Sequence, residues 1–93
     1  MPESESAPAV AVRFMLDADP DPGLLCRVMI PFARRGLVPD RMWSHRGANA
    51  VHIEVALEAA PSAEVHLIEG NLQQVVGVRS VVVVRRADIR RVA

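Results

Sequence analysis

Apolar residues alternate with other residues along several segments of the chain, and this period of two is typical of half-buried β-strands. The alternation is strong over residues 10–16 and 50–58 and weaker over residues 37–44. Pro39 cannot donate to a sheet ladder, so we predict that the weaker strand lies at a sheet edge or contains a bulge there. Residues 78–84 contain four consecutive valines. A continuous apolar run is typical of a strand covered on both faces, so we predict that this last strand lies inside the sheet.

Two further segments carry apolar residues three and four positions apart, which is the period of an α-helix packed on a core. In the first, Asp21 is the predicted N-cap, Pro22 suits the first helical position, and Gly36 suits the left-handed conformation after the last turn. The second follows Ser62, a predicted N-cap, and ends at Gly77. The predicted buried residues of the two helices are Leu25, Val28, Met29 and Phe32, then Val65, Ile68, Leu72 and Val75.

Three small residues allow local predictions. Cys26 is expected to face inward as a small apolar side chain. Gly47 is expected to adopt a positive φ in a hairpin turn over residues 45–49. Gly70 weakens the second helix relative to alanine, which suggests that the helix packs closely against a neighbour there.

The order of the predicted elements is β-α-β-β-α-β. Two crossover helices on one face of a four-stranded antiparallel sheet give the ferredoxin-like arrangement, so the predicted class is an α+β sandwich. A single domain is predicted over residues 9–86, with a disordered polar tail over residues 1–8 and a basic tail over residues 87–93. This topology carries many unrelated functions and predicts none by itself.

The charge and composition of the chain argue against several function classes. Eleven acidic and eleven basic side chains give a formal net charge of zero, so there is no electrostatic reason to expect a nucleic acid or an anionic membrane as partner. No apolar run is long enough to cross a bilayer. Cys26 is the single cysteine, which excludes an internal disulfide and fits the cytoplasm, where we expect the protein to reside.

Residues with catalytic or metal-binding chemistry form no recognisable motif. No His-x-x-x-His or Glu-x-x-His spacing is present, so we expect neither a metal nor another cofactor. His52 and Glu54 share one face of a predicted strand, and we interpret them as polar surface residues rather than as a ligand pair. An acylphosphatase-like activity is disfavoured, because Asp17, Asp19 and Asp21 in the first loop would repel a phosphate. The protein is therefore not expected to be an enzyme.

The predicted edge strand carries two large side chains, Met42 and Trp43. A large aromatic at an unpaired strand edge suggests that another chain covers it, so we predict a homodimer through the second strand with both residues at the interface. The alternative is that Trp43 folds over the end of the sheet within one chain. A basic cluster near the carboxyl end is expected to be a solvated surface or a contact for an acidic partner, and it consists of Arg85, Arg86, Arg90 and Arg91.

Two segments resemble the Pro-Gly and Arg-Gly motifs of the ACT domain family. They are Asp21-Pro-Gly-Leu-Leu-Cys-Arg-Val28 and Phe32-Ala-Arg-Arg-Gly-Leu37. Within that family the chain is most similar to the short form of the small regulatory subunits of acetolactate (acetohydroxyacid) synthase. The compact hairpin leading to Ala50-Val-His-Ile-Glu-Val55 and the ending Asn71-Leu-Gln-Gln-Val-Val-Gly-Val78 support this similarity.

The resemblance implies a regulatory module with no catalysis or cofactor of its own. Domains of this kind pair through their second strands and bind effectors, such as branched-chain amino acids, at the interface. The effector carboxylate would accept hydrogen bonds from the N–H groups of Gly23 and Leu24, at the start of the first helix. The implied ligand-binding residues are Asp21, Pro22, Gly23 and Leu24 of one chain with Val38, Pro39 and Asp40 of the paired chain.

Two functional hypotheses follow from the resemblance. In the first, the chain binds and regulates the large catalytic subunit of the synthase, a thiamine-diphosphate-dependent enzyme of branched-chain amino-acid biosynthesis. Pro20 and Val38 occupy positions where valine-sensitive relatives carry asparagine, so this hypothesis includes a subunit that acts through interface contacts alone. In the second, the chain is a stand-alone amino-acid-sensing homodimer that acts on another partner.

Overall fold

The computed structural model describes residues 8–86, which form four strands and two helices in the order β-α-β-β-α-β. The elements are β1 (Ala9–Ala18), α1 (Leu24–Arg34), β2 (Arg41–Arg46), β3 (Val51–Pro61), a 3₁₀ turn (Ser62–Glu64), α2 (Val65–Gln73) and β4 (Val78–Arg86). The strands form one antiparallel sheet in the order β2-β3-β1-β4. The predicted ferredoxin-like sandwich is confirmed. Both predicted tails lie outside the described residues except for Pro8, whose carbonyl accepts the N–H of Ser62 at 3.1 Å.

The core lies between the two helices and one face of the sheet. The central strand β1 alternates as predicted, with Phe14 and Leu16 fully buried. Phe14 meets Phe32 of α1 edge to face, with ring centroids 5.5 Å apart. Burying a large apolar side chain stabilises the fold by about 1.5–3 kcal/mol, so each of these fully buried side chains contributes substantially to stability. The core residues are Val12, Phe14, Leu16, Ala18, Leu24, Val28, Phe32, Ile53, Val55, Leu57, Ala60, Val65, Ile68 and Leu72.

The two outer strands differ from the sequence predictions. The prediction that the valine-rich strand lies inside the sheet is wrong, because β4 pairs only with β1 and leaves Val82 and Val84 exposed by 55% and 43%. The run of valines supplies one half-buried face through Val81 and Val83. The edge position of β2 is confirmed, although the strand begins at Arg41, after Pro39. The edge position of β2 therefore follows from the strand order and not from a proline within the strand.

Helix α1 begins two residues later than predicted. Its N-cap is Gly23, so neither Asp21 nor Pro22 holds the helical position assigned to it. Val28 and Phe32 are buried as predicted and Met29 packs against the core, but Leu24 is buried in place of Leu25, which is exposed. Cys26 is also exposed, and the prediction that it faces inward is wrong. The Leu24 side chain lies close to Gly77, in the loop before β4.

The second helix keeps its predicted buried face, with Val65, Ile68 and Leu72 in the core. It follows a 3₁₀ turn in which Ser62 makes no side-chain cap. The prediction of close packing at Gly70 is wrong, because a Cβ there would meet no neighbouring atom within 4 Å. Gly47 does not take the predicted positive φ, and the described glycines that do are Gly36 and Gly77.

The sheet face away from the helices, here called the open face, is defined by the strand register. Its three central rows join side chains of β2, β3, β1 and β4 in that order. These rows mix charged with apolar residues and contain no glycine or proline and one large aromatic residue, Trp43. The rows are Arg41-Ala56-Arg13-Val84, Trp43-Glu54-Met15-Val82 and His45-His52-Asp17-Ser80.

Candidate functional site

The loop from Asp19 to Gly23, here called the Pro-Gly loop, is held in shape by the carboxylate of Asp21. Its Oδ1 accepts the N–H of Gly23 at 3.3 Å, and its Oδ2 accepts Nη2 of Arg27 at 2.5 Å. The N–H of Leu24 donates to the main-chain oxygen of Asp21 at 3.0 Å. The pKa of the Asp21 carboxyl lies below its usual range. The main cause is the hydrogen bond from the Arg27 guanidinium, and the second is the hydrogen bond from the Gly23 N–H. Asp21 is thus a charged structural group at neutral pH.

The same loop is fastened to the start of β4. The N–H of Asp19 donates to the carbonyl of Gly77 at 2.8 Å, and Nη2 of Arg27 also donates to the carbonyl of Val76 at 3.1 Å. Arg79 makes the third contact, since its Nε donates to the Asp19 carboxylate at 2.7 Å. Three separate contacts therefore fix the loop before any ligand binds.

A cleft of about 310 Å³ lies between the Pro-Gly loop and the end of β2, and we call it the loop cleft. Its walls are mostly apolar, with the carboxylate of Asp21 and the guanidinium of Arg46 as its two charged groups. The lining residues are Pro20, Asp21, Pro22, Leu24, Leu25, Ser44, Arg46 and Val51. A cleft with apolar walls and a few polar groups is the usual form of a small-molecule site.

The first group of predicted site residues lies at this cleft. Asp21, Pro22 and Leu24 line it, although Leu24 is only 1% exposed. The N–H groups of Gly23 and Leu24, which were predicted to hold a carboxylate, already donate to Asp21. A ligand carboxylate would have to displace Asp21 from them or bind elsewhere, and Arg46 is the cationic group within the cleft.

The second predicted group, Val38 to Asp40, lies at the other end of β2 from Ser44 and Arg46. Val38 is exposed, whereas Asp40 starts the hairpin ladder. Its N–H donates to the carbonyl of Ala56 at 2.8 Å, and its Oδ2 accepts the N–H of Glu58 at 2.7 Å. One chain therefore does not bring Val38, Pro39 and Asp40 to its own Pro-Gly loop.

Met42 and Trp43 are both exposed on β2 and point to opposite faces of the sheet. The ring of Trp43 lies nearly parallel to that of His45, with centroids 6.1 Å apart, and edge-on to that of His52. His52 contacts the Asp17 carboxylate through Nδ1 rather than Glu54. Among residues 8–86, no group of three or more histidine, cysteine, aspartate or glutamate side chains is placed to hold a metal ion.

Sequence reasoning missed Ser44 and Arg46 as cleft residues. The available signal was the alternation along β2, which places Met42, Ser44 and Arg46 on the helix side of the sheet. Arg46 stands opposite Val51, which in turn stands opposite Ala18 at the end of β1. This register places Arg46 in the same row as Ala18, the last residue of β1 before the Pro-Gly loop.

The sequence model of the ACT-like domain family matches residues 5–90. The chain belongs to the ACT-like domain family. ACT-like domains have regulatory, small-molecule-binding roles and are in general not catalytic. A search of curated proteins finds no match to this chain. No helix in the described part of the ACT-like domain is both long and apolar enough to cross a membrane.

Proposed function

We propose that this ACT-like domain is a regulatory subunit that binds a small amino acid in the loop cleft. The observation that carries the proposal is the pairing of an apolar cleft with two opposite charges at its rim, Asp21 and Arg46. A free amino acid presents the complementary groups, since it joins an ammonium, a carboxylate and a side chain on one carbon. Charge-assisted hydrogen bonds to both charged ends would orient the ligand.

The cleft walls indicate the class of amino acid. Pro20, Pro22 and Leu25 offer apolar surface and no charge to the ligand side chain. An aliphatic side chain gains from burial there, whereas a charged one would lose hydration without a partner. The proposed effectors are therefore the branched-chain amino acids.

The edge of β2 supports a homodimer that completes this site. All six residues of the strand are exposed, and an unpaired edge is a template for another strand. When two copies of an edge strand pair antiparallel about a two-fold axis, the start of one lies beside the end of the other. Val38, Pro39 and Asp40 of the second copy would then approach Ser44 and Arg46 of the first.

The proposed partner is the large, thiamine-diphosphate-dependent catalytic subunit of acetolactate synthase. The support is the sequence resemblance over the Pro-Gly and Arg-Gly motifs. The cofactor and the chemistry would belong to that partner, and this chain would contribute binding and regulation. A stand-alone sensing homodimer that acts on another partner is the second form of the same proposal.

Thermal unfolding of the protein against a panel of amino acids tests ligand binding. A ligand at a hundred times its Kd adds about 2.7 kcal/mol of stability, which raises the Tm by roughly ten degrees or more for a domain of this size. Valine, leucine or isoleucine should produce this shift, and aspartate or arginine should not. The variant Arg46→Gln should lose it, while Arg34→Gln, which removes an exposed charge from the last turn of α1, should keep it.

Three outcomes decide between the forms of the proposal. A shift with an activity change on mixing with the large synthase subunit supports the regulatory subunit. A shift without any effect on that enzyme supports the stand-alone sensor. Absence of a shift with any amino acid overturns ligand sensing, and an activity change on mixing would then leave regulation through interface contacts alone.

A further inference from the structure

The open face carries a second concave region, distant from the loop cleft. Two adjoining cavities of about 470 and 260 Å³ share three lining residues, Arg13, Arg41 and Ala56. Trp43 borders the larger cavity and Arg86 the smaller one. We call the combined region the arginine cleft, and its combined size lies within the usual range for small-molecule sites of about 300–1,000 Å³.

The strand register explains why the cleft is concave. Arg41 and Arg13 both stand opposite Ala56, one on each side of it. Arg86 stands opposite Ala11, the next residue of β1 on the same face. The methyl groups of the two alanines are too short to fill the space between the guanidinium groups, so they form a floor with arginines around it.

The arginines are only partly neutralised by neighbouring carboxylates. Nη1 of Arg13 lies 3.6 Å from Glu54, and Nη1 of Arg41 lies 3.3 Å from Glu58. Each contact uses one terminal nitrogen, so the remaining N–H groups of these guanidiniums can donate to another acceptor. Arg86 makes no ion pair with any residue among 8–86. Three arginines with two glutamates leave the cleft positive in a chain of zero net charge.

Trp43 supplies a flat apolar wall at the side of the cleft. Its ring is 52% exposed, and one ring face is turned to His45 at an interplanar angle of 14°. Trp43 and the arginines Arg13 and Arg41 line the same cavity. A planar ring can stack on the indole while its anionic substituent reaches the guanidiniums.

We propose that the arginine cleft binds a small anion that carries a planar ring, which is the chemistry of a mononucleotide. The arginines take the phosphate and Trp43 takes the base. A nucleic acid strand would require a positively charged groove along its backbone, whereas the rows beside the arginines carry the acidic residues Glu54 and Asp17. The site is separate from the loop cleft, so its test does not depend on amino-acid sensing.

The test uses the intrinsic fluorescence of Trp43, the only tryptophan of the chain, with AMP as the probe. Stacking of the base on the indole should quench the emission saturably. Adenosine, which lacks the anion, and inorganic phosphate, which lacks the ring, should each bind at least about tenfold more weakly, because each loses one of the two contacts. Raising the salt concentration should weaken AMP binding, since the site attracts an anion.

Two arginine variants and one matched control locate the site. Arg41→Gln and Arg86→Gln should each weaken AMP binding by about tenfold through the loss of a charge-assisted hydrogen bond. Arg34→Gln removes the same charge from α1 and should leave the affinity unchanged. Trp43→Leu, followed by titration calorimetry because the fluorophore is lost, should weaken binding by about tenfold. All four positions are exposed in the single chain. Circular dichroism verifies that each variant is folded, and sedimentation velocity separates a loss of AMP binding from a loss of the proposed homodimer contact at Trp43.

Several results would overturn the proposal. If Arg41→Gln and Arg86→Gln bind AMP as tightly as the unsubstituted protein does, the arginines do not form part of the site. Adenosine or phosphate binding as tightly as AMP would contradict the need for both contacts. A single-stranded oligonucleotide that binds more than about tenfold tighter than AMP would replace a mononucleotide with a nucleic acid strand as the ligand.

Discussion

The two edge strands of the sheet, β2 and β4, occupy equivalent positions but are anchored differently. Strand β4 lies under α2 and buries part of Val81 and Val83, and Arg79 ties its start to Asp19 and to the carbonyl of Asn49. Strand β2 exposes every residue, and the ion pair of Arg41 with Glu58 is itself exposed. The same sheet thus has one edge that stabilises the domain and one edge open to a partner.

The largest expected difference between the edges concerns stability. Val83→Asp places a charge in the half-buried layer between β4 and the core, and we expect a loss of about 3 kcal/mol in the free energy of unfolding. Ser44→Asp makes the corresponding change on the helix side of β2, where the residue is exposed, and should cost no more than about 0.5 kcal/mol. Urea unfolding measures both, and equal losses would contradict the distinction between the edges.

The next prediction concerns assembly. Trp43 and Val82 stand in the same row of the open face, one on each edge strand. Trp43→Lys should weaken homodimerisation by about a hundredfold, because lysine at an edge opposes strand addition and a large apolar contact is lost. Val82→Lys should leave the dimer intact. Sedimentation velocity over a concentration series measures both constants, and a dimer lost only in Val82→Lys would assign the interface to β4.

Alanine substitutions of two glycines near the two edges are expected to give a smaller difference in the free energy of unfolding. Gly77 has a φ of 101°, and a Cβ there would lie 3.0 Å from Cδ1 of Leu24. Gly77→Ala should therefore cost about 1–2 kcal/mol of unfolding free energy. Gly47, in the β2–β3 turn, lacks positive φ and has room for a methyl group, so Gly47→Ala should change stability by less than about 0.5 kcal/mol. Thermal unfolding compares the two variants, and a larger loss at position 47 would refute this interpretation.

The smallest predicted effect is a pH dependence of the Pro-Gly loop. Because the folded-state pKa of Asp21 lies below the ordinary aspartate value of about 3.9, its contribution is complete above that value and is lost as the pH falls through the folded-state pKa. Asp21→Asn should therefore lower stability near neutrality, where the carboxylate contribution is complete, and should flatten the decline below about pH 4, so that the two proteins converge in acid. Chemical unfolding at a series of pH values gives the two slopes. An identical acid decline in the variant would show that the Arg27 contact does not contribute.

The sequence predicted most of the fold because its information on secondary structure is local. The alternation along β1 and the three-and-four spacing along α2 identified their buried faces directly. The start of α1 was missed because the loop before it is held by Arg27 of the helix together with the carbonyl groups of Val76 and Gly77, which lie far along the chain. The candidate site was predicted in part, since a motif can identify Asp21 and Pro22 but not the strand residue that faces them.

By itself, the sequence determined the order of the elements, most of the core and the presence of a Pro-Gly loop before the first helix. These properties depend on the periods of two and 3.6 residues and on the local chemistry of proline and glycine. Only the tertiary structure decided that β4 forms the second edge, that Arg46 faces the Pro-Gly loop, and that Arg13, Arg41 and Arg86 surround one cleft. Strand order and register bring together residues far apart in the chain, and no local pattern encodes that neighbourhood.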